Sequence, residues 1–387
     1  MDETEKRTLG SDRLMLKDLQ WKKSIAFLKM GYCRVLLFSL LAILFLVVTG
    51  CAMNRGSDIK IGVAMPTREF QRWNQDGDNL ERLLRQDGYL VDLEYADNNP
   101  QLQISQIRQM IAEGCKVIVI ASVDTGALGE VLYEAKAKGC KIISYDRLIM
   151  NTDIVDYYAT FDNLGVGIMM AEYLEEKLGL NEGKGPYRIE FFAGGPDDSN
   201  AIFLWEGSME VLRPYMENGQ LVTKSGENDL KNCAIDHWSV EKSHERMKKI
   251  LQDHYSDGTR LDAVLCASDS VAFGVLQALR EAGYSPEAGN MPLITGQDAE
   301  KRIVKAIISG EQSMSIFKDT RLLAAQVASM VNAIVAGREP ETNDIGNYDN
   351  GVKILPTFLV RPELIDLENY REVLFGSGYY SDSDFEE

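Results

Sequence analysis

From residue 59 onward the chain alternates between short β-branched runs of buried-strand length and segments with the 3.6-residue apolar period of an amphipathic helix. Strands are expected at 59–65, 90–95, 117–121, 142–145 and 157–161, with helices at 76–85, 102–112 and 127–138 among them. In the helix at 102–112, Ile104, Ile107, Met110 and Ile111 share one face, and Gly114 stops it. After Asn163 the alternation restarts, with helices at 166–178, 201–215, 240–254 and 271–281 and strands at 188–192, 221–224, 263–266 and 293–295. Continuously apolar strands are buried on both faces, and parallel neighbours need a crossover that a helix supplies. Two such arrays in 387 residues imply an α/β chain of two doubly wound, Rossmann-like lobes with mostly parallel sheets. The remainder is a helix at 300–308, a strand at 314–317, a helix at 322–336 and an extended run at 352–360. It is too little for a third domain and is expected to return to the two lobes through a multi-segment hinge. The expected division is 52–163 plus 299–337 for the first lobe and 164–298 plus 338–387 for the second.

In open α/β sheets, ligands bind beyond the carboxyl ends of the strands. This chain repeatedly places acidic or amide side chains there: Asp124, Asp146, Asp162 with Asn163, Asp197 and Asp198 with Asn200, Asp269, and Gln297 with Asp298. Each alone is an ordinary helix cap, and for Asp197 and Asp269 capping and ligation weigh evenly. As a set, with Arg147 beside Asp146, they suit sugar hydroxyls, which both donate and accept. Aromatic rings supply the other half of such recognition, since the C–H face of a pyranose packs on an indole. Trp73, next to Arg72 after the first strand, and Trp238, ahead of the helix at 240–254, are the candidates; Trp205, beside Phe203 and Leu204, reads as core. Lys318 stands at the carboxyl end of the strand at 314–317. Asp146 and Arg147 are read as the grip on a ligand, Asp162 and Asn163 as the first hinge crossing, and Asp298 as a later crossing.

What is absent narrows the function further. Ala64-Met65-Pro66-Thr67 follows the first strand where a dinucleotide fingerprint would stand, and neither a phosphate loop nor a nucleophile elbow occurs. No cofactor and no enzymatic reaction are therefore expected. His237, His244 and His254 lack ligand spacing, so no metal is assigned. The formal net charge is −18; the first 51 residues hold eight Lys or Arg against five Asp or Glu, which leaves −21 for the rest. So acidic a body repels phosphate backbones, and no nucleic-acid partner is expected.

The first 51 residues read as a targeting segment: Lys29 and Arg34 precede a largely apolar run of 14 residues at 35–48, short for a membrane span. It ends in Val48-Thr49-Gly50-Cys51, which resembles the lipobox of bacterial lipoproteins. That resemblance implies cleavage before Cys51, its lipidation, and a lipid-anchored, extracytoplasmic location at the outer face of the cytoplasmic membrane or in the periplasm. The spacings of Cys115, Cys140, Cys233 and Cys266 fit no zinc site. Cys115 and Cys140 each follow a Gly and precede a strand; a disulfide between them is conceivable, but buried free thiols are favoured.

From Ile61 almost to its end the chain resembles the bacterial solute-binding proteins for xylose and multiple monosaccharides that serve ABC transporters. The likeness is carried by Gly62 to Met65, Arg72-Trp73, Ser105-Gln106-Ile107, Tyr145-Asp146-Arg147-Leu148, Phe161-Asp162-Asn163, the run from Gly195 to Ala201, Gly296-Gln297-Asp298-Ala299 and Ile316-Phe317-Lys318-Asp319. It implies a periplasmic-binding-protein type I fold and Arg72, Trp73, Asp146, Arg147, Asp198, Asn200, Asp298 and Lys318 as sugar ligands, with Trp238 matching a family aromatic. Asp124, Asp269 and Gln297 are further candidates from their positions alone. Ser199 and Ser268 depart from the family pattern, where a second Asn and a larger polar residue are usual. The implied partners are a monosaccharide, an ABC permease and, through Cys51, the membrane, with the protein acting as a monomer. The alternative is a sugar sensor that presents its closed form to a membrane receptor kinase.

Overall fold

The computed structural model describes residues 58–196 and 198–386. The expected leader with Cys51, and Asp197, lie outside them. The first sheet comprises β1 (Lys60–Met65), β2 (Leu90–Tyr95), β3 (Val117–Ile120), β4 (Lys141–Tyr145), β5 (Tyr157–Phe161) and, much later in the chain, β11 (Thr357–Val360). Its order is β2-β1-β3-β4-β5-β11, with every pair parallel. Helices α1 (Gln71–Gln86), α2 (Pro100–Ala112) and α3 (Gly129–Ala137) connect β1 to β4. α4 (Asn163–Leu178) then leads into the second sheet: β6 (Tyr187–Phe192), β7 (Leu221–Val222), β8 (Ala263–Cys266) and β9 (Leu293–Ile294), in the parallel order β7-β6-β8-β9. α5 (Ser199–Glu217), α6 (Val240–His254), α7 (Asp269–Glu281) and α8 (Lys301–Ile308) belong with it. A parallel bridge from Gln297 to Ile316 brings in β10 (Met314–Phe317), which pairs antiparallel with β12 (Glu363–Asp366). The α/β architecture of two mostly parallel sheets is thus as expected from the periodicity.

Strand β3 reads Val-Ile-Val-Ile and is buried throughout, the signature of a sheet covered on both faces. Helix starts are set chemically. The Asn99 side chain accepts from the N–H groups of Gln101 and Leu102 with Pro100 in the first turn, and Asp162, Asp198, Ser268 and Asp319 cap α4, α5, α7 and α9 (Thr320–Val335) in the same way.

Three expectations need correction. Helix α1 begins at Gln71 rather than 76, because its first turn is held by polar contacts instead of an apolar period: Asn74 Nδ2 donates to the carbonyls of Arg68 and Phe70. Arg72 and Trp73 therefore project from a helix. The strand β12 was not expected at all. The division at 299–337 and 338–387 also does not follow strand pairing: α8 and β10 stay with the second sheet, α9 packs on α1 and the first sheet, β11 completes that sheet, and β12 returns to the second. The chain thus passes from one sheet to the other at Asp162-Asn163, at Lys318-Asp319 and between Val360 and Glu363, and Asp298 is not a crossing.

In the second lobe α4 and α5 touch backbone to backbone. A Cβ on Gly167 would sit 2.2 Å from the Leu204 carbonyl oxygen, and one on Gly207 would sit 2.1 Å from that of Leu164. Since backbone cannot yield as a side chain can, Gly207→Ala should lower unfolding free energy by about 1–3 kcal/mol. Urea denaturation would show a reduced midpoint at unchanged slope, and an unchanged midpoint would contradict the close approach.

Candidate functional site

Between the carboxyl ends of the two sheets lies a cavity lined by Phe70, Arg72, Trp73, Asp146, Arg147, Asp198, Asn200, Trp238, Ser268, Ser270, Gln297, Asp298, Glu300 and Lys318. It encloses about 440 Å³ when counted out to its open mouth, solvent included. Arg72 and Trp73 come from the first turn of α1, Asp146 and Arg147 from the turn after β4, and Lys318 from the end of β10. Asp198 and Asn200 open α5, Ser268 and Ser270 open α7, and Gln297 to Glu300 follow β9.

Asp146 adopts left-handed backbone geometry, φ 61°, which an Asp tolerates only under constraint. Its carbonyl oxygen supplies that constraint by accepting three hydrogen bonds, from the hydroxyls of Tyr158 (2.5 Å) and Thr160 (2.9 Å) and from Asn200 Nδ2 (3.1 Å). The Asn200 amide also donates to Asp146 Oδ1 at 3.1 Å, so a helix start of the second lobe grips a strand end of the first. Trp238 is left-handed as well, φ 56°, and its ring rests on Gly194, where a Cβ would come within 2.2 Å. Only Gly leaves room for the indole there.

The charges are buried and balanced in place. The Arg72 guanidinium meets Asp76 (3.0 Å), Asp146 (2.9 Å) and Asp298 (3.5 Å) and lies 4.4 Å from the Trp73 ring centroid. Arg147 Nε pairs with Asp198 Oδ2 at 2.8 Å across the lobes, while its Nη1 donates to the Ser122 carbonyl. Burial opposes the charge on Arg72, but Asp146, Asp76 and Asp298 outweigh it and hold the guanidinium well above its ordinary range. For Asp146 burial works upward, yet Arg72, Lys318 and Arg147 together keep the carboxyl below the usual value. Lys318 is lowered by burial against the pull of Asp298 and Asp146, and its ammonium donates to Asn163 Oδ1 at 3.1 Å. Trp238 Nε1 and Gln297 Oε1, both buried on lining residues, have neither a hydrogen-bond nor an ion-pair partner among the described residues. The arrangement offers donors, acceptors and aromatic faces.

The nine residues of the principal expectation, Arg72, Trp73, Asp146, Arg147, Asp198, Asn200, Trp238, Asp298 and Lys318, all line this one cavity, as does Gln297. Asp124 and Asp269 do not. Asp124 Oδ1 accepts from the Gly126 N–H within its own turn, and Asp269 is fully buried behind the site, accepting from Ser315 Oγ (2.8 Å) and the Glu300 N–H (2.8 Å). Asp162 caps α4, whereas the Asn163 amide bridges Asn200 and Lys318 at the crossing. Cys115 and Cys140 are buried free thiols, which burial pushes up to about 11 and about 12. Sequence reasoning missed Phe70, Ser270 and Glu300. Glu300 accepts from Ser270 Oγ and Arg302 Nε at 2.6 Å each, and no strand-end rule singles it out.

Residues 61–339 match the periplasmic binding protein domain. The chain belongs to that family. It is a family of binding proteins, and the chain is not an enzyme. The multiple sugar-binding periplasmic receptor of Rhizobium radiobacter is 45% identical over 320 residues, covering 83% of this chain and 90% of the relative. The D-xylose-binding periplasmic protein of Escherichia coli K12 is 31% identical over 340 residues, covering 88% and 96%. An ABC transporter solute-binding protein from Clostridium phytofermentans, solved with bound β-D-glucose, superposes with a TM-score of 0.82 at 50% identity, covering 84% of this chain and 100% of that one.

Burial, with the charges of Glu300 and Asp298, holds the Asp269 carboxyl well above its ordinary value. Its folded-state value is raised, so stability is full below the unfolded value and is lost as pH rises. Asp269→Asn removes that loss: at pH 7.5 the variant should be about 1–2 kcal/mol more stable than wild type, an advantage that shrinks toward pH 4. Denaturant midpoints across that range would show it, and a pH-independent difference would contradict a raised Asp269 carboxyl.

Proposed function

We propose that the protein is an extracytoplasmic, lipid-anchored receptor that captures one monosaccharide, xylose or a related pentose or hexose, between two closing lobes and delivers it to an ABC permease. The observation that carries this reading is the lining of the cavity: three cations, four carboxylates, two indoles and a phenyl ring converge from both sheets. Mixed charge of this kind does not favour an anion or a cation as ligand; it favours neutral hydroxyls, each able to donate to a carboxylate and accept from a guanidinium. Trp238 N–H and Gln297 Oε1, which have no hydrogen-bond partner among the described residues, add one donor and one acceptor in the same place. The sugar-binding relatives, and the glucose held by the 50% identical neighbour, support the same class. Anchoring rests on Val48-Thr49-Gly50-Cys51, and delivery to a permease on the transport role named for the neighbour.

In this reading Arg72, Trp73, Asp146, Arg147 and Lys318 grip the sugar from the first lobe and the crossing, and Asp198, Asn200, Trp238, Gln297 and Asp298 complete the shell from the second. Asp162 and Asn163 form part of the hinge. The ligand favours closure because the closed state alone offers both sets of partners. Hydrogen bonds to charged groups contribute about 1.5–3 kcal/mol each and micromolar binding needs about 8, so a few suffice. The protein acts as a monomer.

Calorimetric titration with pentoses and hexoses should give saturable binding of at least one, with the radius of gyration from small-angle scattering falling on its addition. Asp146→Asn, which keeps the shape but not the charge, should weaken that sugar at least about tenfold. Absence of heat with every sugar tried would remove the proposal.

A further inference from the structure

One turn after Arg72 on α1 stands Asp76, which is fully buried and does not line the cavity. Its Oδ2 accepts from both Nε (3.1 Å) and Nη2 (3.0 Å) of Arg72, a fork that fixes the guanidinium plane. Its Oδ1 accepts from the hydroxyl of Tyr145, the last residue of β4. The edge of Arg72 turned away from Asp76 is the one facing the site, where Nη1 meets Asp298 and Nη2 meets Asp146. Nor can this part of α1 drift easily, since a Cβ on Gly77 would lie 2.2 Å from the hydroxyl of Tyr95, which itself donates to the Trp73 carbonyl. Tyr145, Asp76 and Arg72 form a relay that runs from the end of a core strand to a side chain of the cavity.

We propose that Asp76 is the positioning residue of the sugar site: ionised, it holds Arg72 with its outer edge presented to the ligand, and protonated it releases that edge, so sugar affinity falls in acid. This rests on the sugar-binding reading. The groups facing Asp76 are Arg72 on its own helix, Tyr145 and Asp146 from β4 and its turn, Tyr95 from β2, and Tyr379 from the C-terminal segment. Arg72 is the cation of that set, and with Asp76 neutral its remaining partners Asp146 and Asp298 draw it toward the cavity carboxylates that a sugar hydroxyl would otherwise engage. Burial pushes the Asp76 carboxyl up to about 6, against the opposite pulls of Arg72 and the Tyr145 hydroxyl. The change of state therefore falls in a range that an extracytoplasmic protein meets.

The test is calorimetry from pH 7.5 to pH 5 with D-glucose or D-xylose, whichever wild type binds more tightly. Wild-type affinity should fall about five- to tenfold across the range with a midpoint near that of Asp76, and Asp76→Asn should be at least about tenfold weaker at pH 7.5 and nearly independent of pH. Tyr145→Phe removes a bond that favours the charged carboxylate, so its midpoint should move upward; a purely structural role for either residue would lower affinity without moving the profile. Asp76→Asn with wild-type affinity and profile, a flat wild-type profile, or an unmoved midpoint in Tyr145→Phe would each overturn the positioning role while leaving sugar binding standing. Wild type that binds neither sugar at pH 7.5 would defeat the sugar reading itself and the proposal with it.

Discussion

A single guanidinium, that of Arg72, is shared by carboxylates from three parts of the chain: Asp76 on its own helix, Asp146 after β4 and Asp298 after β9. Burying one ion pair costs desolvation that its attraction barely returns, and removing the cation from such a cluster would leave several carboxylates stranded. The arrangement is thus better understood as a geometric device than as a source of stability. It ties the first turn of α1, the end of the first sheet and the loop of the second to one planar group, whose donors set the angles at which all three meet. Arg147 repeats the theme on a smaller scale by joining the first lobe to Asp198.

Much of the rest of the site follows from the need to present polar atoms at strand ends without leaving backbone groups unsatisfied. Asp198 serves two purposes at once: one carboxylate oxygen caps α5 through the Asn200 N–H, and the other meets Arg147. Ser268 likewise caps α7 while lining the cavity. The left-handed turn at Asp146 is held by hydrogen bonds to its own carbonyl, so the side chain is aimed by the backbone and the backbone by Tyr158, Thr160 and Asn200. The C-terminal segment adds a further tie. The Tyr380 hydroxyl accepts from Gln71 at 2.5 Å and donates to the Ala299 carbonyl at 2.9 Å, linking α1 to the loop that carries Asp298.

The sheets and the cavity were legible in the sequence to different depths. Strands such as β4 and β5 announce themselves as short, mostly apolar and aromatic runs that are buried along most of their length, and the end of β4 places Asp146 and Arg147 without further information. Asp269 looked the same from that rule yet turned inward to Ser315, since a strand end supplies position but not direction. Asp76 was hidden for a different reason. Its partnership with Arg72 is an i,i+4 contact, visible only once α1 is known to begin at Gln71, and a polar first turn carries no apolar period to reveal that. The return of the run at 352–360 was expected, but that β11 joins the first sheet, and that β12 exists at all, was equally opaque, because sheet membership of a short strand near a crossing depends on long-range pairing that no local pattern encodes.

That return has a bearing on how the chain is made. Both β11 and β12 lie beyond residue 356, one at the edge of the first sheet and the other beside β10. A nascent chain that has reached α9 still shows β5 and β10 as bare edges, each with a row of backbone donors and acceptors open to the wrong neighbour. Neither lobe can be completed ahead of the other: β11 closes on β5 across some 200 positions, and β12 closes on β10 across about 50. A fold tied off so late suits a polypeptide that has to be threaded across a membrane before it condenses.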